Sequence, residues 1–429
     1  MIKFSDSSAS VPLWNSLADG AGRELHDAIR DFYSLYSPEL MTWLAELYDP
    51  TVGGFYYSRS ARDNESVDWN GRSYELLPDA ESTCQALGII ASSGITDGKP
   101  YTAILPEWMQ SDIADYIWGM QDPDGYFYHK QWGKEIGLSR RGRDLAWCRS
   151  MLTAFGRDMR YPTIVSSDSQ NKSTETLIPD HLSSREKFIE YLDSLDVKNK
   201  SYPAGNNLSA QSIQIKSLGL MDVCIDYLTE RQNPETGLWH SEPGYYGVNG
   251  LMKISGVYNS AGRPMPHSRE AAMSAIEAIS STEPIRAVVD LWNTWVAVGR
   301  ITDNLRRLGG DDGAREADAI TAELMQRAPA AIRQSREKLL PFRKECSSFS
   351  YLVDRSASHS QGMPVALPQT AEGDVNATMI GSTHMLGSIF SSLGLSNYSI
   401  PLFGRNERDE FLAVLEKNVK NVSFNLQND

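Results

Sequence analysis

One helix-breaking turn recurs along this chain and constrains its fold more than any other feature. Its copies are Asp49-Pro-Thr-Val-Gly-Gly-Phe55, Asp122-Pro-Asp-Gly-Tyr-Phe127 and Asn233-Pro-Glu-Thr-Gly-Leu-Trp239. Asp or Asn before proline favours a turn, and the glycine supplies a positive φ from which the chain leaves in extended form. Ser348-Phe-Ser-Tyr-Leu352 reads as a degraded fourth copy. Apolar residues around these turns recur at three- and four-residue spacing, the mark of amphipathic helices. That spacing covers residues 38–48, 79–93, 107–121, 141–156, 184–196, 207–219, 221–232, 246–262, 267–281, 286–308, 314–340, 375–394 and 407–418. Alternation of strand type is short and local, as in Gly54-Phe-Tyr-Tyr57 and Phe349-Ser-Tyr-Leu352. The fold class is predicted to be all-α.

Six segments read as starts of a second, more apolar helix. They are Pro78–Ser82, Ser139–Asp144, Gly205–Ser209, Gly244–Asn249, Glu283–Arg286 and Glu372–Asn376, and each is rich in the acids, amides, Gly or Pro that open helices. Six outer–inner pairs in sequence make an (α/α)6 toroid, with the inner N-terminal ends gathered around a funnel. The whole chain, residues 1–429, is then one domain. Its core runs from about residue 38 to 395, and helices over 13–36 and 407–418 pack on it.

The Asp-Pro-x-Gly-Gly-Phe type of turn before an inner helix resembles the repeat of α/α-toroid enzymes. These include polysaccharide lyases, toroidal glycoside hydrolases, terpenoid cyclases and protein prenyltransferase β-subunits. The resemblance spans roughly residues 38–395 and implies architecture more than chemistry. Asp374-Val-Asn-Ala-Thr378 is similar to the D-x-D-D-T acid motif of class II cyclases, but Asn376 stands where the proton-donating Asp would be. Asp222-Val-Cys224 matches only the first part of a prenyltransferase zinc set. Both isoprenoid readings therefore rank below a carbohydrate one.

Closing the ring would set Asp79 and Glu81, on the first inner start, beside Glu372 and Asp374 on the last. Two carboxylates across a sugar ring are what glycosidic hydrolysis needs, one to protonate the leaving oxygen and one to activate water or attack. The plainer role of an acid at a helix start is to cap backbone N–H groups. Arg143, Asp144 and Trp147 from the second start, and Asn207 from the third, are candidate substrate contacts. In the glycine-rich stretch Glu242–Tyr258, the set Tyr245, Tyr246, Asn249 and Lys253 suits β-elimination from a uronic acid. There an amide or arginine neutralises the carboxylate while a tyrosine, histidine or lysine removes the neighbouring proton. Tyrosines on such a helix otherwise serve as packing groups or sugar-stacking walls. Asn376 and His359, the latter in the long polar loop 353–373, complete the substrate-binding candidates, and His129 and His240 are placed at the rim.

The resulting expectation is cleavage of a glycosidic bond in an oligosaccharide by carboxylate-assisted hydrolysis, with β-elimination at a uronic acid as the alternative. Asp79, Glu81 and Asp374 would serve hydrolysis, and Tyr246 and Asn249 would serve elimination. A terpenoid-cyclase-like enzyme and a non-catalytic toroidal binding protein are the remaining alternatives. A net charge of −14 opposes binding to nucleic acid or anionic membranes. No HxH, HExxH or Cys/His cluster occurs, so neither zinc nor another cofactor is expected. Cys84, Cys148, Cys224 and Cys346 are widely spaced and read as buried thiols. Met1–Trp14 lacks an apolar core of signal-peptide length, and no segment approaches ~18 uninterrupted apolar residues. A cytoplasmic location is the expectation.

Overall fold

A computed structural model describes residues 11–64, 66–165, 176–368 and 370–425 of the chain. The polar run Ser166–Ser173 within the 157–182 loop lies outside them. The protein is mostly helical, as predicted. In place of one N-terminal helix over 13–36 there are two, α1 (Val11–Ala21) and α2 (Arg23–Tyr33). Gly22, at φ 84°, lies between them in a conformation an α-helix cannot hold. There follow α3 (Glu39–Glu46), the short α4 (Arg59–Asp63), α5 (Ala80–Ser92), α6 (Glu107–Gly119), α7 (Leu138–Ala154), α8 (Arg185–Ser194) and α9 (Ser201–Ala210). Next come α10 (Ser212–Ser217), α11 (Met221–Arg231), α12 (Tyr245–Ala261), α13 (Ser268–Ser280), α14 (Val288–Leu308) and α15 (Gly310–Leu339). The last are α16 (Val375–Met379), α17 (Met385–Ser392) and α18 (Arg405–Asn425).

The recurrent turns work as their sequences require. Asp49 Oδ1 accepts from the N–H of Thr51 at 2.8 Å, Asp122 Oδ1 from Asp124 at 3.0 Å and Asn233 Oδ1 from Glu235 at 2.8 Å. Gly53 and Gly237 then take φ of 84° and 65°. A Cβ at Gly53 would lie 2.4 Å from the Asp112 carbonyl oxygen, and one at Gly237 2.2 Å from the Ala271 nitrogen. Each turn is thereby seated on the backbone of a helix further along the chain. Tyr48–Asp49 (β1) and Gly54–Phe55 (β2) pair across the first copy. Ser66–Trp69 (β3) and Arg72–Glu75 (β4) form a hairpin around Asn70-Gly71, both at positive φ, the two-residue turn that matches strand twist. His359–Ser360 (β5) and Met363–Pro364 (β6) make a third hairpin inside the loop read as 353–373.

One set of helices packs in chain succession: α5 on α7, α7 on α9, α9 on α12, α12 on α14, and α14 on α17. The succession returns to its start, because α16 packs on α5. Further helices lie against this set, with α6 on α7, α11 on α12, and α13 and α15 on α14, while α18 packs on α3. A continuous apolar cluster runs from Trp14 to Leu415 and fills the space between them. The third start falls at Ser201, four residues before the predicted Gly205. Pro203 sits in the first turn, where its missing N–H costs nothing. The helix predicted over 375–394 is interrupted by a π turn, Ile380–His384, between α16 and α17.

Candidate active site

Arg140, two residues into α7, is fully buried and holds three carboxylates. Nη2 donates to Asp79 Oδ1 at 2.8 Å, Nη1 to Glu81 Oε2 at 3.1 Å, and Nε to Asp144 Oδ2 at 2.9 Å. Asp79, Glu81 and Asp144 are 1 %, 1 % and 3 % exposed, so the cluster has little water to screen it. Local structure explains the convergence. Asp79 caps α5 by accepting from the N–H of Glu81 at 2.9 Å and of Ser82 at 3.3 Å, which fixes Glu81 one turn in. Asp144 stands four residues after Arg140 on the same face of α7. Arg140 also lies over the Trp132 ring at 4.5 Å.

Three carboxylates face two guanidinium groups, since Arg143 Nη1 reaches Glu81 Oε1 at 3.4 Å. One negative charge is left in excess in a buried site, and Asp144 takes up the imbalance. Burial pushes its pKa up to about 7 despite Arg140, and its Oδ1 has no hydrogen-bond partner among the described residues. Burial also raises Asp79, but Arg140 and Ser82 outweigh it and hold that carboxylate below its ordinary range. Arg140 itself is disfavoured by burial, yet its three partners drive its pKa above the ordinary value, so it stays charged.

The β5–β6 hairpin is bonded onto this cluster. Ser360 Oγ donates to Glu81 Oε2 at 2.5 Å, and Gln361 Oε1 accepts from Ser139 Oγ at 2.7 Å and Asn206 Nδ2 at 3.0 Å. Asn206 in turn accepts from Arg143 Nη2. Asn207 bonds the Pro203 carbonyl of its own helix at 3.1 Å, so it is Asn206 that joins the cluster. Arg143 also lies 5.4 Å over the half-buried Trp147 ring. His359, at the start of the hairpin, is exposed and pairs with Trp69 at 4.9 Å.

The glycine-rich helix α12 approaches α9 closely. A Cβ at Gly250 would lie 2.5 Å from the Ser201 Cβ, and one at Gly205 would lie 2.8 Å from the Cβ of Lys253. These glycines therefore serve contact between helices, and they put Lys253 beside α9. Lys253 Nζ stands 5.7 Å from the Tyr202 ring centroid and has no hydrogen-bond or ion-pair partner among the described residues. Desolvation, then Arg143 and Arg300, pushes its pKa well below the usual lysine value. Tyr202 faces Tyr351, and burial raises both phenols, so each keeps its proton.

Asn249 is locked, its amide donating to Asp290 Oδ1 at 2.8 Å and its oxygen accepting from Asn293 at 2.8 Å. Asp290 also accepts from the N–H groups of Arg286 and Ala287 at the start of α14. Tyr245 turns toward α15, accepting from Lys338 Nζ at 2.5 Å. Tyr246 sits between His240 and Arg286, at ring distances of 4.6 Å and 5.9 Å.

At the sixth start Asp374 is fully buried and caps α16. One oxygen accepts from the Ala377 N–H at 2.7 Å, the other from the Tyr351 N–H at 3.0 Å. Burial pushes its pKa up to about 7, against the lowering by the Ala377 N–H, and the Tyr57 phenol adjoins it. Glu372 is spent on α4, accepting from Ser58 Oγ at 2.9 Å and the Ser60 N–H at 2.8 Å. Asn376 is half-buried on the first turn of α16. His129 stacks on Trp132 at 4.3 Å, and burial lowers its pKa to about 4. His240 lines a separate surface cavity of about 750 Å³ beside α8 and α11.

Asp79, Glu81, Arg143, Asp144 and Lys253 thus belong to one neighbourhood, whereas Asn249 is bonded to Asp290 and Asn293 and Asp374 to the N–H groups of Ala377 and Tyr351. Tyr245, Tyr246, Glu372, Asn207 and His359 are engaged elsewhere. Sequence reasoning missed Arg140 as the hub, and also Tyr202, Asn206, Ser360 and Gln361. The Arg140…Asp144 spacing and the first-turn Pro203 were the available signals. Nothing in the sequence ties Ser360 to Glu81, 279 positions away. No family model, curated protein or solved structure matches the chain.

Proposed function

We propose that this chain is an (α/α)6 toroid whose lumen binds an acidic oligosaccharide and cleaves it by β-elimination at a uronate. The toroid reading is supported by the helix succession that returns to its start. The observation that carries the chemistry is Lys253: an interior amine with no hydrogen-bond or ion-pair partner among the described residues, beside Arg143 and Tyr202 and depressed in pKa. An amine held below its usual pKa gives up its proton more readily than an ordinary lysine and, once neutral, is able to accept one.

In this reading Arg143, positioned by Asn206, receives the uronate carboxylate. Neutralising that group acidifies the adjoining C–H, from which Lys253 takes the proton. The released electron pair forms the C=C bond as the C–O bond at the β-carbon breaks. Tyr202, which keeps its proton, donates it to the departing oxygen. The Arg140 cluster is the rigid support that holds Arg143 and the hairpin in position. Elimination is preferred to hydrolysis because the expected acids are occupied: Asp374 by two backbone N–H groups, Asp79 and Glu81 by Arg140. One observation favours hydrolysis as the second reading, namely Asp144, raised to about 7 with a free oxygen, the state of a general acid.

The two readings separate by product. Elimination yields an unsaturated uronate that absorbs in the ultraviolet, and Lys253→Met abolishes it. Hydrolysis yields reducing ends without that absorbance and is abolished by Asp144→Asn. Loss of neither activity in these variants would remove both assignments.

A further inference from the structure

A second cavity, of about 460 Å³, lies between α14, the π turn and α17, with Ser92 at the end of α5 on its edge. Trp292 and His384 stack at 5.9 Å with 27° between their planes, and together they form a flat wall. Trp292 Nε1 is satisfied by Ser388 Oγ at 3.1 Å, which fixes the indole. Gly387 leaves the floor open, because a Cβ there would meet no atom within 4 Å.

Two polar groups on this cavity are unspent. Thr383 is 5 % exposed, and its Oγ1 has no hydrogen-bond partner among the described residues. Arg300 donates through Nη1 to the Met252 carbonyl at 2.7 Å, and no carboxylate stands within ion-pair distance of it among the described residues. Asp303 on the rim is engaged by Arg307 at 2.8 Å. Arg300 is buried enough to lower its pKa, yet a guanidinium stays charged. A desolvated cation without a counter-charge is costly unless a ligand supplies one. His384, lowered to about 4 by burial, is neutral and adds no competing charge.

We propose that this cavity binds a small planar anion of the aromatic carboxylate class. Its ring lies along the Trp292–His384 wall, its carboxylate bonds Arg300, and Thr383 donates to it. The cavity is separate from the elimination site, although Arg300 also acts on Lys253 through its charge.

Calorimetric titration of the full-length protein with benzoate, and with its uncharged counterpart benzamide, tests the proposal. Benzoate is expected to bind, benzamide about tenfold or more weaker, the loss expected for one charge-assisted contact. Arg300→Gln should bring benzoate to the benzamide level, and Trp292→Leu should weaken both. Absence of benzoate binding, or equal affinity for the two probes, would overturn it. The comparison of probes on the unaltered protein decides the question even if Arg300→Gln fails to fold.

Discussion

Replacing Arg140 with methionine isolates the largest electrostatic feature of the fold. Arg140→Met keeps an unbranched side chain of similar reach but leaves Asp79, Glu81 and Asp144 facing one another with only Arg143 nearby. Removing one partner of a buried ion pair costs about 3–5 kcal/mol. The protein can escape part of that cost by protonating a carboxylate, at about 1.4 kcal/mol for each pH unit above a normal pKa of ~4. Relative to wild type, the deficit is then about 1–2 kcal/mol at pH 5. At pH 8 it reaches about 5 kcal/mol for each carboxylate that must take up a proton. The sign follows from linkage. Without Arg140 the folded state holds protons that the unfolded state releases, so the variant loses stability as pH rises. Since domains are stable by only about 5–15 kcal/mol, Arg140→Met should be near its unfolding threshold at pH 8 and folded at pH 5. Urea unfolding followed by circular dichroism at the two pH values gives both deficits. A deficit that is the same at pH 5 and pH 8, or below about 1 kcal/mol at both, would refute the charge accounting.

Other outcomes follow from the same geometry. Asp144 has a folded pKa of about 7 against its ordinary 3.8, so its contribution to stability is full below about pH 4 and lost as pH rises through 7. Asp144→Asn should therefore gain on wild type across that interval, by up to the order of 4 kcal/mol in urea midpoints converted to free energy. Gly250→Val should drive α12 off α9 at Ser201, lowering stability by about 1–3 kcal/mol, read as a fall in Tm. Lys253→Met should leave Tm unchanged or higher, because the depressed lysine is itself destabilising near neutral pH. A clear fall in Tm would mean that Lys253 has a structural partner.

The periodic parts of the fold were legible because they depend on neighbours in sequence. Ten of the thirteen periodic segments each correspond to one helix whose bounds differ by only a few residues; 207–219 falls across α9 and α10, 375–394 is broken by the π turn, and α18 runs past residue 418. Asp79 and Asp374 at helix starts, and the Asx turns with glycine, were legible for the same reason. The third helix start was misplaced because Gly205 and Asn206 look like cap residues, whereas Gly205 is there for close approach to Lys253. That error put Asn207 in the candidate set in place of Asn206, on the neighbouring face. The π turn at Ile380–His384 leaves no periodic trace. Which acid is caged and which is free depends on Arg140 and Ser360, and such contacts between distant segments are invisible to spacing. The tyrosines of α12 looked catalytic only while Lys338, His240 and Arg286 were out of view.

The central claim is that Lys253 removes a proton from a uronate bound at Arg143. The most direct measurement is ultraviolet absorbance during incubation of the wild-type protein with uronate-containing oligosaccharides, set beside Lys253→Met and Arg143→Gln. The account predicts that absorbance of an unsaturated product grows with wild type, vanishes with Lys253→Met and falls sharply with Arg143→Gln. Reducing ends released without that absorbance, or equal turnover by Lys253→Met, would contradict it.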